Sequence, residues 1–182
     1  MCKHTIGVYE IYRTICGGGK LKVEPGGAYV GFPPEHYPKH FIPGQLDGGF
    51  HDRDNMWMHT DKGRKEEDDL PYQSTFVLED ADMDDHVLVY LSNSARYHDE
   101  FLATHKKLEL EDPKEAPGYL QLTRKEVEWF LTRGCEWVKV VVPKGSLIIW
   151  DPKLIHATCN PVERRKNSKL RFVVYGGWVP KG

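Results

Sequence analysis

Short apolar runs alternate with polar positions through most of this chain, and turn-forming residues separate one run from the next. Alternation with a period of two is typical of half-buried β-strands. The segment 92–122 lacks this period, and we expect it to be rich in loops. The pattern predicts seven or eight strands, the clearest of which are Met56–His59, Gln73–Leu78, His86–Leu91, Trp137–Val142, Leu147–Trp150 and Arg171–Tyr175, with a further strand at Ile6–Tyr12.

One helix of note is predicted. Thr123 and Glu126 have the spacing of a capping box, in which the threonine caps the first turn and the glutamate reaches back to it. Apolar residues recur at helical spacing after this point, and Gly134 suits the C-terminal end. The sequence therefore predicts a short helix among the strands.

The glycine and proline content supports a mainly β fold. Of the 182 residues, 17 are glycine and 12 are proline, and this density of turn formers favours an all-β sandwich or barrel over a helical bundle. Many of them lie in the first third of the chain. We therefore expect residues 1–55 to form an irregular N-terminal arm that wraps over a core of residues 56–182, within one structural domain.

Charge and apolar content exclude several classes of protein. The 25 basic and 27 acidic residues give a net charge of -2, which argues against a general nucleic-acid binder. No apolar run approaches the roughly 18 residues of a membrane span, and the first residues lack the apolar core of a secretory signal. The four cysteines are scattered without a CxxC pair. We expect a reducing, cytoplasmic location, with neither nucleic acid nor membrane as a partner.

The first candidate site residues are His59 and Asp61 of the triplet His59-Thr60-Asp61. Residues i and i+2 of a strand point to the same face, so this imidazole and carboxylate can converge. Alone, the triplet also fits a surface or core histidine. His156 follows an apolar strand and a loop 95 residues later. Two histidines and one carboxylate leave about three coordination positions open, as in non-haem Fe(II) oxygenases, whereas structural zinc sites are closed by four protein ligands.

Arg171 opens the last predicted strand, and alternation places it on one face with Val173 and Tyr175. A buried charge among apolar neighbours needs an anionic partner. A protein carboxylate can fill that role, and so can the carboxylate of a ligand, which a planar guanidinium holds with two parallel hydrogen bonds. Other histidines, His98 among them, are interpreted as loop or strand-end residues without a direct function.

The order of these residues resembles that of the phytanoyl-CoA dioxygenase-like family of 2-oxoglutarate/Fe(II)-dependent oxygenases. The resemblance extends from Trp57 to Pro180 and implies a double-stranded β-helix, a jelly-roll or cupin-like barrel with a metal near its mouth. It rests on WMHTD at 57–61, Gln73, DD at 84–85, LTRGCE at 131–136, PKGSLIIWD at 143–151, His156 and RFVVY at 171–175.

The resemblance also implies roles for individual residues. The implied reaction couples decarboxylation of 2-oxoglutarate by O2, with release of succinate and CO2, to hydroxylation or another oxidation of a small-molecule or lipid-like substrate. The residues implied to bind Fe(II) are His59, Asp61 and His156. The residues implied to lie around the cosubstrate are Arg171, on its far carboxylate, and Thr158, Gln73 and Trp57.

Four departures from the family pattern keep other functions open, one of them being His86-Val87 in place of the glycines expected after the acidic turn. Ser92-Asn93-Ser94-Ala95 stands where the family usually has Gly-Ser-His, and Val173 replaces a common hydroxyl residue. The N-terminal part is shorter than in the family, so we expect a partner or self-association to cover that side. The alternatives are a non-catalytic barrel that acts as a binding module, and a metal-dependent hydrolase that uses zinc-bound water on the same three ligands.

Overall fold

The computed structural model describes residues 6–24, 26–33, 56–63, 71–105, 119–159, 161–162 and 169–181. These residues form three helices and eleven strands. In chain order they are α1 (Ile6–Ile15), β1 (Leu21–Glu24), β2 (Ala28–Gly31), β3 (His59–Thr60), β4 (Gln73–Val77), β5 (Leu88–Leu91), α2 (Ser94–Thr104), β6 (Leu120–Gln121), α3 (Arg124–Leu131), β7 (Trp137–Val140), β8 (Leu147–Trp150), β9 (His156–Thr158), β10 (Arg171–Tyr175) and β11 (Gly177–Pro180).

The strands form three antiparallel sheets, which confirms the prediction of a mainly β protein. One sheet has four strands in the order β2-β10-β4-β8, a second has five in the order β6-β3-β9-β5-β7, and β1 pairs with β11 as a two-stranded ribbon. A side chain of β10 hydrogen-bonds to one of β9, so the four-stranded and five-stranded sheets face each other. The candidate site lies between these two sheets.

The strand predicted at Ile6–Tyr12 is wrong, because this segment is part of helix α1. Val8 and Tyr12 are four residues apart and therefore share one face of a helix. Tyr12 is fully buried and packs against Trp178 with ring centroids 4.9 Å apart, in a cluster that includes Phe76 of β4. Helix α1 thus covers the outer face of the four-stranded sheet, and the period that matters here is 3.6 residues.

The prediction that segment 92–122 is rich in loops is wrong for Ser94–Thr104, which form helix α2. Its buried residues are Ser94, His98 and Phe101, which lie at helical spacing. Two of these three are polar, so an apolar periodicity does not reveal the helix. Asn93 precedes it in a left-handed conformation, with φ of 60°.

Helix α3 confirms the predicted capping box. The backbone N–H of Glu126 donates to Thr123 Oγ1 over 3.4 Å, and Glu126 Oε2 accepts from the backbone N–H of Thr123 over 2.6 Å. Gly134 follows the helix with φ of 81°, a conformation that favours glycine. Val127 and Phe130 are buried in a cluster with Phe101 of α2, so the two helices share one part of the core.

The N-terminal segment is more regular over its described residues than the sequence predicts. It holds α1, β1 and β2, and these two strands pair with β11 and β10 respectively. The remainder of the predicted arm, including residues 34–55, lies outside the described residues. Strands β8 and β10 have the bounds predicted for them, and the short strand near residue 59 is His59–Thr60 instead of Met56–His59. None of the described helices is long and apolar enough to cross a membrane.

Candidate metal centre

The two histidines of the site lie opposite each other in neighbouring strands. His59 of β3 and His156 of β9 are register partners, and their ring centroids are 4.3 Å apart. Asp61 lies just beyond β3, two residues after His59. One donor atom from each of the three residues lies within 4.8 Å of the other two. Directly opposed residues of paired strands point to the same side, which is why these side chains meet.

Backbone carbonyls fix the orientation of both imidazole rings. His59 Nδ1 lies 3.0 Å from the carbonyl oxygen of Trp57, and His156 Nδ1 lies 2.9 Å from that of Leu154. A carbonyl only accepts, so each Nδ1 carries the hydrogen, and in a neutral ring the lone pair is then on Nε2. The two Nε2 atoms lie 3.7 and 3.5 Å from the two carboxylate oxygens of Asp61. All three donor groups therefore point at one position.

The electrostatics of the site favour neutral histidine. Burial and the neighbouring His156 lower the pKa of His59 from 6.5 to about 4, so this ring is uncharged and available as a donor at neutral pH. Two imidazole nitrogens and one carboxylate are a donor set suited to a divalent transition metal with open coordination positions. The residues present thus fit such an ion.

Trp150 holds the carboxylate of Asp61 in place. Its indole Nε1 donates to Asp61 Oδ2 over 3.0 Å, and its ring centroid lies 5.1 Å from that of His156. Trp150 ends strand β8 and is buried. Sequence reasoning assigned no role to this tryptophan, because a hydrogen bond between residues 89 positions apart leaves no local signal.

Of the two residues predicted to line the pocket, Trp57 contacts a ligand and Gln73 lies opposite Trp150. Trp57 stacks on the imidazole of His59, with ring centroids 3.9 Å apart and planes inclined by 19°. Tyr119 contacts the Trp57 ring edge-on, with centroids 5.6 Å apart. Gln73 of β4 is the register partner of Trp150 in β8. Register partners share a face of the sheet, so Gln73 lies on the face that carries Trp150.

Arg171 lies further into the space between the sheets. It is 5% exposed, its Nη1 donates to Thr158 Oγ1 on β9, and the guanidinium lies 5.6 Å from the ring centroid of Tyr29 on β2. Within the described part of the chain, no carboxylate lies within 4.0 Å of this guanidinium. Arg171 also lines a cavity whose other walls are mostly apolar. A buried guanidinium without a protein carboxylate is a candidate anion-binding group.

Two tyrosines that were assigned no role belong to the same interior. Tyr90 of β5 is the register partner of His156 and therefore shares its side of the sheet. Tyr175 shares the face of Arg171 on β10. Burial raises the pKa of Tyr175, the Arg171 guanidinium lowers it and the Asp61 carboxylate raises it, so this hydroxyl is protonated at neutral pH. Alternation along β10 signals Tyr175, whereas Tyr90 depends on a long-range strand pairing.

The chain is similar in sequence to a curated fungal protein. No protein-family model matches the chain. A curated protein, Ava biosynthesis cluster protein O of Aspergillus versicolor, is 26% identical over 96 residues, which are 52% of this chain and 30% of that protein.

Three solved structures cover almost the whole chain. EvdMO1 matches with a TM-score of 0.55 and 14% identity, over 98% of this chain and 32% of its own. AviO1 from Streptomyces viridochromogenes Tue57 matches with a TM-score of 0.52 and 12% identity, over 98% and 59%. SnoK, a non-haem α-ketoglutarate-dependent carbocyclase from nogalamycin biosynthesis, matches with a TM-score of 0.55 and 15% identity, over 95% and 55%.

The chain shares its fold with a 2-oxoglutarate-dependent enzyme. At 12–15% identity the likeness extends to the fold alone. The chain spans 30% of the length of the curated relative and 32–59% of the length of the three solved proteins. The predicted phytanoyl-CoA dioxygenase-like subfamily stays a prediction, since none of these comparisons names it.

Proposed function

We propose that this protein is a 2-oxoglutarate- and Fe(II)-dependent dioxygenase that hydroxylates or otherwise oxidises an organic substrate, with release of succinate and CO2. The observation that carries the proposal is Arg171, a buried cation with no carboxylate within 4.0 Å among the described residues, on the same interior as the two histidines and Asp61. We further infer that the facing sheets form a double-stranded β-helix of the phytanoyl-CoA dioxygenase-like type.

The metal ligands in this proposal are His59 and His156 through Nε2, and Asp61 through its carboxylate. Bound Fe(II) supplies the Lewis acidity and redox chemistry that allow O2 to react with organic molecules. The residues contribute one negative charge and three donors on one side, so about three positions stay free for a chelating 2-oxo acid and O2. The carbonyls that fix both Nδ1 hydrogens keep the lone pairs aimed before any metal binds.

The cosubstrate selectivity in this proposal comes from Arg171. The far carboxylate of 2-oxoglutarate is held by two parallel hydrogen bonds from the guanidinium, which the apolar surroundings strengthen. Thr158 accepts a hydrogen bond from Arg171 through Oγ1, so its own hydroxyl hydrogen is available to an anion. The hydroxyl of Tyr175, which shares the face of Arg171 on β10, is a further hydrogen-bond donor in this proposal. Gln73 and Trp57 line the pocket walls.

The substrate we propose is a small organic molecule. The supporting comparisons are SnoK, which belongs to nogalamycin biosynthesis, and the Ava biosynthesis cluster protein O. Trp57 and Tyr119 form an aromatic wall beside His59, and Tyr119 is 40% exposed, so an apolar scaffold or a lipid-like molecule can approach from that side. A partner or a second copy that completes the N-terminal side, and a cytoplasmic location, are part of the same proposal.

The direct test is binding followed by turnover. Under anaerobic conditions, 2-oxoglutarate is added to the Fe(II)-loaded protein, and the visible absorption band of the iron–2-oxoglutarate complex is recorded. Air is then admitted, and succinate is measured with and without candidate substrates. We expect a saturable band and succinate formation that needs both Fe(II) and O2. Absence of the band would favour a non-catalytic binding module. Hydrolysis of a candidate substrate with Zn(II) bound, without succinate formation with Fe(II), would favour a hydrolase.

A further inference from the structure

We propose that helix α2 positions the metal centre, and that His98 is its key positioning residue because it fixes the backbone next to Asp61. The inference rests on the proposed metal centre and adds a role for a helix that lies outside it. Three α2 side chains, Ser94, His98 and Asp99, connect to both segments that carry metal ligands.

The first connection reaches the segment of Asp61. His98 is 2% exposed, and its Nε2 donates to the carbonyl oxygen of Lys62 over 3.1 Å. Lys62 directly follows Asp61 in the chain. The same carbonyl accepts a hydrogen bond of 2.8 Å from Thr60 Oγ1, and the Lys62 N–H donates to the Pro152 carbonyl over 3.0 Å. His98 is therefore engaged with backbone and is not itself a ligand.

The second connection reaches the segment of His156. Ser94 is fully buried, and its Oγ accepts a 2.9 Å hydrogen bond from the backbone N–H of Ile155, the residue before His156. Asp99 accepts from Lys153 Nζ at 2.9 and 3.0 Å, and its Oδ1 lies 3.2 Å from His98 Nδ1. The helix thus contacts residues on the approach to His156 as well as the residue after Asp61.

The strand pairings hold His59 and His156 more directly than they hold Asp61. Strand β3 has two residues and β9 has three, and His59 and His156 are the one register pair between them. Asp61 lies beyond the end of β3, where no ladder hydrogen bond holds it. A metal site tolerates only a few tenths of an ångström of ligand displacement. Helix α2 adds a constraint to those from Trp150 and Pro152, because it joins the two short segments through a rigid element.

The test compares three variants of the whole chain with the wild type. His98→Phe keeps the ring but removes the hydrogen bond to Lys62, and His98→Gln restores a donor near the position of Nε2. His105→Phe is the matched control, because His105 ends the same helix and stacks on Phe101 instead of contacting the ligand segments. Fe(II) affinity is measured anaerobically by calorimetry, and the coordination geometry is followed through the ligand-field absorption of Co(II).

We expect His98→Phe to weaken Fe(II) binding by about 10- to 100-fold and to change the Co(II) spectrum, as is typical when a residue that supports a metal ligand is lost. His98→Gln is expected to recover most of both, and His105→Phe to match the wild type. Wild-type affinity and spectrum in folded His98→Phe would overturn the proposal. If His98→Phe does not fold, Ser94→Ala takes its place, with the same expectation and the same contradicting result.

A metal-independent measurement separates this inference from the proposed function. In the metal-free protein, the imidazole NMR signals of His59 and His156 report where these rings lie. We expect His98→Phe to shift both sets and His105→Phe to shift neither. Failure of the wild type to bind any divalent metal would contradict the proposed function, whereas unshifted signals in His98→Phe would contradict the role of α2.

Discussion

Trp150 donates the hydrogen of its indole nitrogen to Oδ2 of Asp61 over 3.0 Å, and this bond leaves Oδ1 as the less engaged oxygen of the carboxylate. We expect the carboxylate to bind a metal through Oδ1, because Oδ2 already accepts a hydrogen bond. Coordination through both oxygens would consume a position that a 2-oxo acid or O2 requires. We therefore expect Trp150 to favour coordination through one oxygen, which leaves the open side of the proposed centre free.

Replacement of Trp150 by phenylalanine tests this role. Trp150→Phe keeps an aromatic ring near His156 but removes the N–H, so Oδ2 becomes available to the metal. We expect the affinity for 2-oxoglutarate to fall about tenfold, while Fe(II) affinity changes less. Anaerobic titration of both ligands measures the two effects separately. Equal loss of Fe(II) and 2-oxoglutarate binding would mean that Trp150 acts on the fold of the site and not on the carboxylate.

Removal of the carboxylate should be more severe. Asp61→Ala deletes the anionic member of the donor set and leaves two neutral imidazoles to offset a divalent charge. We expect stoichiometric Fe(II) binding to disappear at micromolar protein concentrations. Calorimetry measures the affinity, and anomalous scattering from crystals soaked with iron locates the ion. Stoichiometric iron at His59 and His156 in this variant would show that Asp61 is not a ligand.

Acid should destabilise the metal-free protein through His59. Its pKa is about 4 in the folded state against an ordinary 6.5, so the unfolded chain binds the proton more tightly. The stability contributed by this group is complete above pH 6.5 and is lost as the pH falls towards 4, by up to about 3 kcal/mol. Urea unfolding at pH 7.5 and pH 5 measures the change. The difference should shrink in His59→Gln, and an equal pH dependence in both proteins would contradict the prediction.

The capping box of α3 should matter for stability and not for metal binding. Thr123→Ala removes the oxygen that accepts from the Glu126 N–H, and we expect a loss of about 1 kcal/mol in the free energy of unfolding. Thr14→Ala is the matched control, because the Thr14 hydroxyl bonds only to the Glu10 carbonyl within α1. Its effect should stay within about 0.5 kcal/mol. A large drop in Fe(II) affinity in Thr123→Ala would link α3 to the site.

The parts of the molecule that could be predicted are those with a local signal. The capping box of α3 and the bounds of β8 and β10 follow from neighbouring residues, and the structure confirms them. The convergence of His59 and Asp61 follows from their spacing of two. In contrast, the strand prediction for the segment of α1 is wrong, because its apolar residues fit both a strand and a helix. Packing against Phe76 and Trp178 stabilises the helix.

Other features depend on long-range pairing that no local pattern reveals. The buried face of α2 is largely polar, because Ser94 and His98 bond to backbone from other segments. Tyr90 joins the site only through the pairing of β5 with β9. The Trp150–Asp61 bond likewise joins strand β8 to a residue just beyond β3, 89 positions away in the chain. Such residues are identified once the strand order is known.

The claim that this interior binds 2-oxoglutarate depends most directly on Arg171. The decisive measurement is titration of 2-oxoglutarate into the anaerobic Fe(II) protein, in the wild type, Arg171→Lys and Arg171→Leu, with Fe(II) affinity recorded in parallel. A buried bidentate pair contributes roughly 2–4 kcal/mol, so Arg171→Leu should weaken 2-oxoglutarate binding by about 30- to 1,000-fold, and Arg171→Lys by less. Iron affinity should barely change in either variant. Equal 2-oxoglutarate affinity in the wild type and in Arg171→Leu would contradict the account.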